Sequence, residues 1–177
     1  MNATLFTELP LHWNALDTVR LGGGSVTSGK VPDRYVIVEG DGIVRRFDLY
    51  PNGFESYAFE DAKIWRGLLL VGYGCHLYVF NLATHAVSEH HFDSYFGHLY
   101  VAPDYCLVAS GCSLYRLGDD GEYLWASRGL ALDGVVVNNV RDGVIYGDGE
   151  WDPPGGWRPF SVRLSDGGPA NWRGLRK

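Results

Sequence analysis

The residues best equipped for chemistry lie in two short runs. The first is DGEWD, which places Asp148, Glu150 and Asp152 at alternate positions. Oxygen donors spaced by two are how many calcium loops begin. The later bidentate glutamate of such a loop is missing, so a solvated acidic turn is the reading adopted. The second run is HAVSEHHFD, with His85, Glu89, His90, His91 and Asp93. Neighbours on an extended strand point to opposite faces, so His90 and His91 cannot serve one metal, whereas Glu89, His91 and Asp93 share a face. The weak metal candidates are therefore Asp148, Glu150, Asp152 and His91. A polar surface strand is the adopted reading of the second run, and no metal or other cofactor is expected.

Nucleophilic chemistry has thinner support. The chain contains no G-x-S-x-G and no phosphate-binding loop, and GGGS at 22–25 lacks the required lysine. Cys75, Cys106 and Cys112 form no C-x-x-C pair and read as reduced, buried small residues. Cys106 sits in the apolar run YCLVAS, where burial quiets a thiol. Glu39, Asp41 and Asp148 follow apolar runs, but no acid–base pair stands out among them.

The oddest segment is GEWDPPGGWRPF, residues 149–160. Its prolines and glycines exclude a helix and weigh against a central strand, so a loop is expected. Yet it carries Trp151, Trp157 and Phe160, residue types that usually belong in a core. Either the tryptophans fold back as a cap, or Glu150, Trp151, Asp152, Trp157 and Arg158 form an anchor cluster for a partner. Trp and Arg dominate interface hot spots, and prolines lower the ordering cost of binding.

The elements that position these residues follow from composition and repetition. The 177 residues are 46% hydrophobic and 14% aromatic, with 24 glycines and one methionine, which favours many short strands joined by tight turns. A net charge of −6 disfavours nucleic acid and favours a basic partner. No window approaches a membrane span and no secretory leader is evident, so a cytoplasmic address without membrane contact is expected.

LVGYGCHLY at 70–78 and LVASGCSLY at 107–115 agree at six of nine positions, offset by 37 residues. Each reads as a hairpin whose first strand is largely buried. Weaker copies start at Tyr35 and Val144, and polar turns such as Asn52-Gly53, Asp120-Gly121 and Asp166-Gly167 follow the second strands. FESYAF and EYLW read as third strands, and WRGL at 65–68 recurs at 172–175. A period of 37 to 40 residues with three or four strands suits a β-propeller blade. The expected organisation is a single domain over 1–177, with repeats at about 31–67, 68–104, 105–142 and 143–177. Residues 1–30 form an N-terminal extension or closing strand, with 17–27 donating a strand to the last copy. Against Gly111 to Leu117 in the third copy, the fourth has gained about nine residues, EWDPPGGWR, an insertion of the kind that marks a binding face.

The segment CLVASGCSLYRLGDDGEYLW resembles a blade of the quinoprotein-type and WD-repeat-type propellers, with Tyr115, Gly121 and Trp125 at characteristic positions. The resemblance covers the blade scaffold only and implies no quinone. It implies an all-β, small propeller-like repeat fold of about four blades of antiparallel strands, open or completed by dimerisation. The function expected is a non-enzymatic protein–protein binding module, in one version an immunity-type inhibitor of a basic partner. The alternatives are a hydrolase or lactonase using channel carboxylates, and a carbohydrate-binding propeller.

Overall fold

Glycine turns and short apolar runs dictate a succession of brief antiparallel strands. The computed structural model shows them over the residues it describes, 1–23, 31–50, 59–152 and 155–170. The turn at Asn52-Gly53, most of FESYAF, the second WRGL, Ser25 and the Pro153-Pro154 pair lie outside those residues. The fold is all-β and propeller-like, with four blade-sized sheets divided between two compact units.

The first unit, Met1–His91, holds two sheets. One contains β1 (Asn2–Phe6), β2 (Thr18–Leu21), β3 (Arg34–Gly40) and β4 (Ile43–Leu49), in the order β1-β3-β4-β2. The other contains β5 (Glu60–Trp65), β6 (Leu68–Tyr73), β7 (His76–Asn81) and β8 (Val87–His91), in sequence order. The second unit, Phe92–Lys177, holds β9 (Phe96–Ala102), β10 (Tyr105–Ser110), β11 (Ser113–Leu117) and β12 (Tyr123–Arg128) in one sheet. Its other sheet contains β13 (Val135–Arg141), β14 (Val144–Glu150) and β15 (Trp157–Arg163). Among the described residues the helical content is one 3₁₀ turn, Leu11–Trp13.

One expectation needs correction. Over its described residues the 17–27 segment does not donate a strand to the last copy: β2 lies parallel to β4 in the first sheet, with Val19 opposite Phe47. The Tyr50 amide continues the attachment by donating to the Leu21 carbonyl at 2.9 Å.

Turn chemistry explains the strand spacing. Asp41-Gly42, Arg66-Gly67 and Asp142-Gly143 each close a two-residue hairpin with both φ values between 47° and 79°. That is the mirror-image turn whose twist matches antiparallel strands. The repeated apolar runs become β6 and β10, the inner strands of their sheets, and burial there is continuous: Leu68, Leu69, Leu70 and Val71 are at most 1% exposed.

Each unit closes two sheets on one core. In the first, Val36 and Val38 of β3, Phe47 and Leu49 of β4, Leu69 and Val71 of β6, and Phe80 of β7 form one cluster, with Phe47 edge-on to Phe80 at 4.9 Å. In the second, Leu107 and Ala109 of β10 meet Val135, Val137, Ile145 and Val162 of the three-stranded sheet. Fully burying such a side chain stabilises by about 2 kcal/mol. Polar groups pin the second pair of sheets. Trp125 Nε1 and Arg116 Nη1 both donate to the Leu164 carbonyl at 2.9 Å. At the β13 irregularity the Val137 amide donates to the Tyr100 hydroxyl at 3.0 Å.

Several tyrosines lie in these cores. Burial raises the pKa of Tyr78, Tyr100 and Tyr123, and Tyr95 is pushed up to about 12 by burial and then by its hydrogen bond to Asp133. The unfolded chain releases these protons near pH 10, whereas the folded chain keeps them longer. The folded state therefore binds more protons above pH 10, and stability falls as pH rises through the raised values. Urea unfolding at pH 8, 10 and 11.5 is expected to show little change over the first step and a clear loss over the second, with a smaller loss in Tyr95→Phe.

Candidate functional site

The five residues of the expected anchor cluster meet at one end of the β14–β15 pair. Glu150 is the last residue of β14 and Trp157 the first of β15, directly opposite each other, with Gly149 opposite Arg158. The twelve-residue segment is thus not all loop, as its prolines and glycines suggested. Trp157, Arg158, Pro159 and Phe160 are strand, and only 151–156 connects the two strands. The physical reason lies at the sheet edge. β15 is an outer strand, and Ser161 and Arg163 turn their backbone groups outward to Ala170 and Gly168. Pro159 shares their parity, so its missing N–H removes no bond to β14.

The connection is tied by its own backbone. The Trp151 amide donates to the Gly156 carbonyl and the Gly156 amide to the Asp152 carbonyl, both at 3.0 Å. Glu150 Oε1 accepts the Gly155 amide. Arg158 lies over the Trp151 ring, 5.7 Å from its centre, a cation–π arrangement that leaves Trp151 half-buried. Trp157 is 45% exposed, and its ring tip rests where a side chain at Gly134 would stand. Phe160 packs against the second core.

The fold brings a second segment here that the sequence did not single out. The amides of Leu132 and Asp133 donate to the Glu150 carbonyl, at 2.8 and 3.2 Å, and the Glu150 amide donates to the Gly134 carbonyl at 2.9 Å. Leu132 is 64% exposed, so the segment bonded to Glu150 adds a second apolar group in solvent. The flanking Gly129 and Gly134, both at positive φ, were the available signal. The close approach requires the alternate glycines of β14. A Cβ on Gly149 would fall on the Leu130 carbonyl oxygen, and one on Gly147 on the Val136 carbonyl and the Phe160 ring.

The acidic candidates do not converge. Asp148 accepts from Asn138 Nδ2 at 2.5 Å, Glu150 turns into its own loop, and Asp152 is exposed. His91 is on β8 of the first unit, its ring edge-on to His76 at 4.9 Å, while Glu89 reaches His76 Nδ1 at 2.8 Å. Asp93 pairs with Arg128 at 3.5 Å. Among the described residues no group of three or more His, Cys, Asp or Glu side chains could hold a metal ion. Glu39 is exposed on β3 and Asp41 lies in the β3–β4 turn. The three cysteines carry thiols; Cys106 is buried, whereas Cys75 and Cys112 are only partly so, in equivalent hairpin turns.

No protein-family model and no curated protein sequence matches the chain. Among solved structures, it is similar to the Pan2 WD40 domain of Neurospora crassa, with 12% identity and a TM-score of 0.42 over 59% of this chain and 35% of that one. It is also similar to BamB from Moraxella catarrhalis, with 12% identity and a TM-score of 0.40 over 59% of this chain and 33% of that one. The chain therefore spans about a third of the length of either. Among the described residues no helix is long and apolar enough to cross a membrane.

Gly149→Ala is expected to cost about 2 kcal/mol in denaturant unfolding, because the added methyl displaces the 129–134 segment. An unchanged midpoint would show that this segment does not depend on the close approach.

Proposed function

We infer that the chain is a protein-binding module, and that its contact surface is the end of the β14–β15 pair with the adjoining 132–134 segment. One observation carries this reading. Trp157 stands 45% exposed at the start of an edge strand, its ring tip against Gly134, on a platform fixed by three backbone hydrogen bonds to Glu150 from a segment that also exposes Leu132. A rigid aromatic on a pre-formed platform loses little freedom on binding, which is what makes an effective anchor. Trp151 and Arg158, already stacked, add a flat cationic shelf.

The surrounding charge favours a basic partner. Glu150 and Asp152 stand next to Trp151 in the chain, the Asp133 amide is bonded to the Glu150 carbonyl, and the chain as a whole carries −6. Neutralising a basic protein is the specific role that fits this surface.

Binding is by side chains and not by strand addition. The outward edge of β15 is occupied at Ser161 and Arg163 by residues 168–170. Nearer the site, Pro159 has no donor and the Trp157 amide is bonded to the Gly155 carbonyl, so an incoming strand finds few partners.

The test is affinity capture from the native lysate by wild type and by Trp151→Ala/Trp157→Ala, with thermal melts of both. A stoichiometric basic protein that the double variant binds at least about thirtyfold more weakly, with the melt nearly unchanged, is expected. A melt lowered by many degrees with no partner held by either form would make the tryptophans a cap.

A further inference from the structure

The first unit contains a cleft of about 620 Å³ between the β2–β4 side of its first sheet and the far end of β7. That volume suits a small organic ligand. Its apolar lining includes Val19, Val44 and Phe80, and its polar lining contains two arginines, one aspartate and one histidine.

The two arginines differ in what remains to them. Arg46 grips Asp48 with Nε and Nη2, at 2.7 and 2.9 Å, and gives Nη1 to the Asn14 carbonyl at 3.3 Å, so it is neutralised and used. Arg45 makes one long bond, from Nη1 to the Leu82 carbonyl at 3.4 Å, and has no carboxylate partner among the described residues. Its Nε and Nη2 fork stays available for a carboxylate. Asp17 also lines the cleft, exposed and without an ion pair among the described residues. The cleft thus offers one cation and one anion, neither paired with the other, around an apolar surface.

His85 supplies an independent observation. In the β7–β8 turn the Asn81 amide donates to the Ala86 carbonyl at 2.9 Å and the His85 amide to the Asn81 carbonyl at 2.8 Å. The turn after β15 repeats this pattern, with Arg163 bonding Gly168 at 2.8 Å and Gly167 bonding Arg163 at 2.9 Å. His85 at φ 64° therefore occupies the place that Gly167 fills at φ 70°. Histidine is among the non-glycine residues that tolerate this region, so this turn places an imidazole where its counterpart carries no side chain. The His85 ring stacks on Phe80 at 5.8 Å and flanks the cleft, in the same turn whose Leu82 carbonyl holds Arg45.

We propose that this cleft binds a small zwitterion with an apolar side chain, an α-amino acid of the phenylalanine or leucine kind. The carboxylate rests on Arg45, the ammonium faces Asp17, and the side chain lies against Val19 and Val44 beside the His85 ring.

Calorimetric titration with L-phenylalanine tests this, with phenylacetate and phenethylamine as half-ligands, on wild type, Arg45→Gln, Asp17→Asn and His85→Gly. Phenylalanine should bind wild type more tightly than either half, and Arg45→Gln and Asp17→Asn should each weaken it about tenfold or more. Phenylacetate should respond to Arg45→Gln but lose nothing with Asp17→Asn. His85→Gly should weaken phenylalanine without lowering the melting temperature, since glycine accepts the turn's φ freely. Absence of phenylalanine binding to wild type would overturn the proposal. So would affinity unchanged in Arg45→Gln, or halves that bind as tightly as the whole.

Discussion

A sheet of three or four short strands cannot stay in water with both faces bare, and the rest of this structure depends on how that constraint is met. In each unit two such sheets share one core. Val36, Phe47, Leu69 and Phe80 serve the first unit, and Leu107, Val137, Ile145 and Val162 the second. Neither sheet of a pair could bury these residues alone. The hairpin turns follow from the same demand, because only tight mirror-image turns keep successive strands in register with the face they must cover.

Shared burial also builds the candidate binding surface. Phe160 and Val162 anchor β15 in the core, which fixes where Trp157 and Arg158 emerge at the strand's other end. Gly147 and Gly149 let backbone and ring atoms come against β14 where side chains would block them. The result is an exposed aromatic held by groups that are themselves inside. In the first unit, the packing that seats Phe80 beside Phe47 also carries the His85 ring, stacked on Phe80, to the edge of a cleft.

Much of the scaffold was legible in the sequence for a physical reason. Inner strands buried on both faces must be apolar throughout, so LVGY and LVAS announce β6 and β10, and a glycine turn marks each hairpin. Outer strands were harder: β13 carries Asn138 and Asn139 beside its valines, and the packing of β2 on β4 joins residues distant along the chain. The loop reading of 149–160 failed at Trp157–Phe160 because the rule against proline holds for inner strands, and only the three-dimensional order reveals that β15 is an edge. The tryptophans were visible as unusual, but Leu132 and Asp133 were not, since their place beside Glu150 is made by backbone hydrogen bonds. The distinctiveness of His85 emerged only when its φ and bonding pattern could be set beside those of Gly167.

The most direct test of the binding surface is site-specific photocrosslinking in the native lysate. A benzophenone amino acid replaces Trp157 in one sample and Arg141, at the opposite end of the same sheet, in another. One discrete basic adduct from position 157 and none from position 141 is the expected result. Equal labelling from both positions, or none from 157 in a folded protein, would contradict the assignment of that strand end as the place where a partner binds.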